Sequence, residues 1–286
     1  MTPPISPLGA LPLSFTKMSG AGNDFLVFGE AVAVGETELA AIRKVCRRGT
    51  GVGADGVLFV AREGRGRVRT DYYNADGSVG RFCGNGTRCV ARYAVLKGLA
   101  GESLVVRTGW GDVPARVEGN RVTLELPEPV AVGRIVPSLD ETGALQRDAF
   151  ALAAGVPHVI ARPAPGVSVA TLDLVRLGPP MRHHPAMREG ANASVFEVSG
   201  KDRLRIRTFE RGVEAETLAC GSAVVATAVT ACALGLVSPP VSLETRSGET
   251  LVVDFRWEGE VARGVTLAGD ARVVFEGALD PREWAP

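Results

Sequence analysis

Two cysteines stand where they could do chemistry. Cys83-Gly84-Asn85-Gly86 leads into an apolar run ending in Lys97-Gly98-Leu99, and Cys220-Gly221-Ser222-Ala223 leads into one ending in Leu234-Gly235-Leu236. The pattern predicts two helices, each opened by a Cys-Gly and closed by a glycine. A helix N-terminus carries roughly half a positive charge and several unpaired N–H donors. It binds carboxylates, and it can lower a cysteine pKa from about 8.5 toward roughly 3.5–7.5. Gly84 and Gly221 would let the backbone approach a ligand closely. Two such ends facing one another would hold a single carboxylate, with a sulfur on each side of the adjacent carbon. One thiolate would take the proton from that carbon, and the opposite thiol would return one to the other face. The outcome is inversion at that carbon, by a base and an acid of comparable, tuned strength.

The segments around the cysteines repeat, which sets the elements that must position them. The strand-like run Val68 to Tyr73 and the turn Asn74-Ala75-Asp76-Gly77 precede Cys83. Leu204 to Phe209 and the turn Glu210-Arg211-Gly212 precede Cys220. Downstream, Leu104 to Gly109 answers Leu243 to Gly248, and Val122-Thr123-Leu124 answers Val265-Thr266-Leu267. Further back, Gly22 to Val27 answers Gly155 to Ile160. Each half therefore reads as strands around one cysteine-led helix. This is a duplicated α+β architecture, and clefts between similar domains are the usual place for a ligand.

Length and composition agree with two globular domains. At roughly 100–200 residues per domain, 286 residues make about two. Lys+Arg and Asp+Glu are both 32, so the chain lacks the basic excess that nucleic-acid or anionic-membrane binding needs. Five cysteines, an odd number, point to reduced thiols in a cytosolic setting and away from a disulfide framework. Residues 1–12 lack a basic n-region and read as a loose N-terminal arm. Residues 217–243 carry no charge but are mostly small, with Pro239 and Pro240 closing them and no Lys/Arg cluster beside them. A buried helix fits this stretch better than a membrane span.

Other chemistries fit less well. Cys46, Cys89 and Cys232 fall in helical patterns and read as packing residues. His158, His183 and His184 have no carboxylate or thiol at ligand spacing, which argues against a metal site. Gly49-Thr50-Gly51-Val52-Gly53 lacks the Gly-Lys-Ser/Thr ending of a phosphate loop. A pyridoxal cofactor would need a lysine, and none of Lys17, Lys44, Lys97 and Lys201 sits in a motif. A thiol hydrolase pairing one cysteine with His158 would leave the second cysteine without a use.

The motifs, in order, are Gly20-Ala21-Gly22-Asn23-Asp24-Phe25, Gly51-Val52-Gly53-Ala54-Asp55-Gly56, Asn74-Ala75-Asp76-Gly77-Ser78, Cys83-Gly84-Asn85-Gly86, Glu210-Arg211-Gly212 and Glu216 to Ser222. With them the chain resembles the diaminopimelate epimerases, from Phe15 to about Phe275. The resemblance implies two pseudo-symmetric α+β domains, each a β-sheet or barrel wrapped around a central helix. Their expected limits are residues 13–128, with 270–286 returning to that domain, and 129–269. It implies conversion of LL-diaminopimelate to the meso form without a cofactor, in a cytoplasmic homodimer that serves lysine or cell-wall precursor synthesis.

It further implies that Cys83 and Cys220 exchange the roles of base and acid. Asn85, with the Gly84, Gly221 and Ser222 amides, would hold the reacting carboxylate, and Asn23 would line the same pocket. Asn74, Asn192 and Arg211 would grip the distal end of the substrate, with Glu210 beside them. Taken singly, Asn23, Asn74 and Asn192 also suit turns or caps, and Arg211 a surface ion pair. The family usually has Gly-Asn-Pro-His where this chain has Gly155-Val156-Pro157-His158, and Val156 cannot make that asparagine's hydrogen bonds to the distal end. A racemase of another amino acid on the same scaffold is the alternative.

Overall fold

The computed structural model describes residues 14–127 and 130–280. The N-terminal arm expected over 1–12 and the domain limit expected at 128/129 lie outside the described residues. Backbone contacts divide the chain into a first unit that ends at Val122 and resumes at Asp270, and a second from Thr123 to Gly269.

The first unit contains β1 (Ser14–Gly20), β2 (Asn23–Phe28), α1 (Glu36–Cys46), β3 (Gly56–Gly64), β4 (Arg67–Asn74), β5 (Val79–Gly80), α2 (Gly84–Leu96), β6 (Ser103–Arg107) and β7 (Asp112–Glu118). β8 (Arg121–Glu125) carries the chain onward. The second unit contains β9 (Val130–Ala131), β10 (Arg134–Pro137), β11 (Leu145–Ala154), β12 (Val156–Pro163), α3 (Leu174–Arg182), β13 (Asn192–Gly200), β14 (Arg203–Glu210), β15 (Ala215–Thr217), α4 (Gly221–Ala233), β16 (Val241–Glu244), β17 (Thr250–Glu258) and β18 (Val261–Asp270). β19 (Arg272–Ala278) follows and belongs to the first unit.

The strand pairings of the two units match one for one. In the first, β1–β2 is antiparallel, β2–β3 parallel, β3–β4 antiparallel, β4–β6 parallel and β6–β7 antiparallel. In the second, β11–β12, β12–β13, β13–β14, β14–β16 and β16–β17 follow the same series. A parallel pair needs a crossover. α1 and α3 bridge the first parallel pair of each unit, and α2 and α4 the second. The segment Leu243 to Gly248, matched to Leu104 to Gly109 in the sequence, holds the end of a strand and a turn. β16 ends at Glu244, because Gly248 N–H bonds back to Thr245 O in a turn.

One strand returns to the first unit. β10 follows β8 in the chain and pairs with β11, whereas β19 follows β18 and pairs with β1. β10 and β19 thus take the same place in the two ladders, beside β11 and β1, and β19 returns to the first unit from the end of the second.

β2, β3, β12 and β13 carry continuous buried runs, as strands covered on both faces do. One cover is the outer helix. Ile42, Val45 and Cys46 of α1 pack with Phe15, Leu26, Phe28 and Phe59. Leu174, Leu177 and Met181 of α3 pack with Val159, Val195 and Phe209. Each such side chain contributes about 1.5–3 kcal/mol by leaving water. The other cover is the cysteine-led helix. α2 packs against β1, β2, β3, β6 and β7, and α4 against β11 through β14, β16 and β17.

α4 is 13 residues long and buried along most of its length, which accounts for the uncharged stretch. At 1.5 Å per residue it is about 20 Å long, short of the ~30 Å hydrocarbon layer. Among the described residues no helix is long and apolar enough to cross a membrane. Both helices stop in the same way. Gly98 and Gly235 adopt φ of +66° and +67°, and the next N–H groups, of Leu99 and Leu236, reach back to Ala94 and Ala231. These are Schellman closures, and the left-handed residue in them favours glycine.

Candidate active site

Cys83 is the N-cap of α2 and Cys220 the N-cap of α4, both with extended backbone. Each therefore places its sulfur at the positive end of a helix. Gly20 lets β1 close on the start of α2, since a Cβ there would lie 2.8 Å from the Asn85 carbonyl oxygen.

In the first unit, the Gly86 N–H donates to Cys83 Sγ at 3.5 Å, and the thiol donates to Asn23 Oδ1 at 3.5 Å. The orientation of Asn23 follows from its other neighbour. Its Nδ2 donates to Asp55 Oδ2 at 2.5 Å, and a carboxylate only accepts, so the carbonyl end must face the sulfur. Asp55 is held in turn by the Asp24 N–H and by Arg48. Arg48 and the buried Lys17 also bridge Asp24. Burial alone would raise the Asp24 pKa, but the hydrogen bonds from Arg48 and Lys17 outweigh it and hold the pKa below its ordinary value.

Asn85 lies in the first turn of α2 and is almost wholly buried. Asn74 ends β4, where its side chain accepts from Tyr72 Oη at 2.5 Å and donates to Ser78 Oγ at 2.9 Å. A shallow hollow lies beside Cys83, lined by Thr70, Tyr72, Thr87 and Thr108 among others.

In the second unit, Asn192 Nδ2 donates to Cys220 Sγ at 3.8 Å, and Ser222 Oγ stands 3.4 Å from the same sulfur. Asn192 Oδ1 accepts the Arg211 backbone N–H at 2.8 Å. A backbone N–H only donates, so the NH₂ end of Asn192 must face the thiol. The Arg211 side chain reaches Glu189, with 3.6 Å to its carboxylate. Glu210 ends β14 and accepts from Thr217 Oγ1 at 2.8 Å. A shallow hollow lies beside Cys220, lined by Ile206, Thr208, Val224 and Thr245 among others. These four correspond by register to Thr70, Tyr72, Thr87 and Thr108.

His158 lies opposite Asn192 in the parallel ladder, where Phe25 lies opposite Gly56 in the first unit. It is fully buried, and neither ring nitrogen has a hydrogen-bond partner. Burial, with the Arg211 charge adding to it, pushes its pKa down to about 3, so the ring is neutral at pH 7. Val156 opens β12 and is half-buried. His184 is held by Pro137 O and the Ala186 N–H, and His183 caps α3. Burial raises Cys46, Cys89 and Cys232 to about 12, so these thiols stay protonated and inert at neutral pH.

The structure thus brings Asn23 to Cys83, and Asn192 and Ser222 to Cys220. The sequence reading gave no role to Asp55, which orients Asn23, and passed over Arg88, which is buried behind Asn85. An arginine one turn after Asn85, flanked by Thr87 and Cys89 in a helix with few charges, was the available signal for the second.

The sequence model of the diaminopimelate epimerase family matches residues 15–132 and 150–274. The chain belongs to the diaminopimelate epimerase family. It is 39% identical to the diaminopimelate epimerase of Archaeoglobus fulgidus over 93% of this chain and 96% of that one. It is 34% identical to that of Aquifex aeolicus over 93% and 98%. Among solved structures, the Bacillus anthracis phenazine biosynthesis protein of the PhzF family superposes with a TM-score of 0.70 at 16% identity, covering 94% of this chain and 99% of that one. A probable proline racemase from Agrobacterium radiobacter superposes with 0.65 at 17% identity, covering 94% of each. These two share the fold of this diaminopimelate epimerase family member: two similar α+β units, each a curled sheet around a helix.

Proposed function

We propose that the chain interconverts LL- and meso-diaminopimelate without a cofactor, with Cys83 and Cys220 on opposite faces of one α-carbon. The observation that carries this reading is the matched placement of both cysteines as helix N-caps, in a chain that belongs to the diaminopimelate epimerase family. In the LL-to-meso direction one sulfur, as thiolate, removes the α-proton, while the other, as thiol, protonates the opposite face. The reverse direction exchanges the roles. The reacting carboxylate is held by the N–H groups at the starts of α2 and α4, with Asn85 and Ser222, where the helix ends offset the charge that grows on it as the proton leaves. Asn23 and Asn192 steer the two sulfurs. Asn74, Asn192, Arg211 and Glu210 receive the distal amino-acid end. The enzyme acts in the cytoplasm as a homodimer.

Deuterium wash-in from heavy water, followed by NMR over a panel of amino acids, tests this. Exchange at the α-carbon of LL-diaminopimelate with inversion is expected. Absence of exchange with every amino acid would defeat the class of reaction. Exchange with monocarboxylic amino acids alone would favour a different racemase, with Val156 at the distal end as the reason for the change.

A further inference from the structure

Arg88 is the largest fully buried side chain among the described residues, with 0% exposure. Among the described residues it forms no ion pair. Nη2 donates to Asn85 Oδ1 at 2.8 Å, Nε donates to the Asp270 backbone carbonyl at 3.2 Å, and Nη1 has no partner. The Asp270 carboxylate is engaged elsewhere, with Arg272 and the Ala21 N–H. An unpaired buried cation is costly, and an apolar residue of similar volume usually serves a core as well or better. The cation therefore needs a reason outside the packing.

Two observations supply it. Asn85 is an amide, whose two ends differ chemically, and a guanidinium can only donate. The bond to Arg88 therefore takes the carbonyl end of Asn85 and turns its NH₂ end away, so that every group it offers at the start of α2 is a donor. In the second unit Ser222 occupies the place of Asn85, and Val225 that of Arg88. A serine hydroxyl rotates to donate without being held. The arginine is present where the donor needs orienting and absent where it does not. The groups that act on the Arg88 charge are Cys89, its neighbour in the chain, then Cys83 at the start of the same helix, then Asp270.

We propose, resting on the reading above, that Arg88 is a positioning residue for the reaction. It holds Asn85 with its NH₂ end toward the substrate carboxylate and supplies the positive charge against which that carboxylate and the Cys83 thiolate are held.

The test compares R88M, R88K, N85S and the double variant R88M/N85S. R88M is expected to lower kcat/KM for diaminopimelate by roughly 10–100-fold, the scale of losing a charge-assisted hydrogen bond. Its Tm should hold or rise, because an unpaired buried charge is gone. R88K, which can still donate to Asn85, should recover most of the loss. In the N85S background the same R88M change should cost no more than a few-fold, since serine needs no orienting. A loss as large in N85S as in the wild type would overturn the proposal, as would a collapse of Tm or a failure of R88M to fold.

A substrate-independent measurement separates this from the identity of the reaction. In C220S, the ratio of Cys83 alkylation by iodoacetate to that by iodoacetamide should fall several-fold on R88M and survive R88K. An unchanged ratio would sink the proposal even if diaminopimelate turns over. A changed ratio would sustain it even if another amino acid proves to be the substrate.

Discussion

Cys83 and Cys220 cap helices of equal length, 13 residues each, and both helices end in the same Schellman closure. The asparagine amides beside the two sulfurs nonetheless present opposite ends. Cys83 meets a carbonyl oxygen, because Asn23 is turned by Asp55. Cys220 meets an amide NH₂, because Asn192 is turned by the Arg211 backbone. An acceptor favours the protonated thiol, and a donor favours the thiolate. Duplication supplied two equal frames, and side chains on different strands then made them unequal. Asn23 opens β2, whereas Asn192 opens β13, so the two asparagines are not counterparts in the repeat.

The sharpest way to break this pairing is to remove one sulfur at a time. C83S and C220S should each lower epimerisation in both directions by about 10²–10⁴-fold, the range for loss of a general acid or base, in steady-state assays with LL- and meso-diaminopimelate. If only one variant loses activity, a single thiol does the chemistry and the symmetry is structural only.

The second difference is the His158 and Phe25 pair. The folded-state pKa of His158, about 3, lies below the ordinary value near 6.5. The unfolded chain therefore binds a proton that the folded chain excludes, and stability falls as pH drops from about 6.5 toward 3. The slope approaches about 1.4 kcal/mol per pH unit within that window, and the contribution is level above it. H158F, which gives the second unit the residue of the first, should remove this slope in urea unfolding measured between pH 4 and 7. Equal slopes in the two proteins would mean that the imidazole finds a partner in solution.

The smallest effect tests the amides themselves. In C83S, the further change N192A should slow alkylation of Cys220 at neutral pH by roughly 2–10-fold, since a donor to the thiolate is lost. In C220S, N23A should leave Cys83 alkylation unchanged or faster, since the acceptor for its proton is lost. Mass spectrometry should find Cys46, Cys89 and Cys232 unlabelled throughout, as thiols at about 12 carry almost no thiolate at pH 7. Slowing in both backgrounds would show that the two amides act alike.

Much of the frame was legible because its signals are local. A glycine two residues past the last helical residue, a Cys-Gly opening and an apolar run read as the same helix twice, and α2 and α4 begin and end where those signals stand. The matched segment Leu243 to Gly248 runs past the end of β16, because the repeat match did not separate the strand from the polar turn Thr245-Arg246-Ser247-Gly248 that follows it. The partners of β10 and β19 within the sheets were not legible from composition, since either strand has the composition to join either sheet. Arg88 was passed over because an arginine in a helix reads as a solvated residue until its surroundings are known.

The sequence alone therefore determined the duplicated order of elements, the two cysteines at helix starts and the donor-rich turns behind them. These depend on contacts within a few residues and on the helical period. Tertiary structure decided which end of each amide faces each sulfur. That choice rests on Asp55, 32 residues from Asn23, and on Arg211, 19 residues from Asn192. An asparagine's two ends are nearly equal in shape. Only a partner that can solely accept, or solely donate, tells them apart, and the fold is what brings that partner within reach.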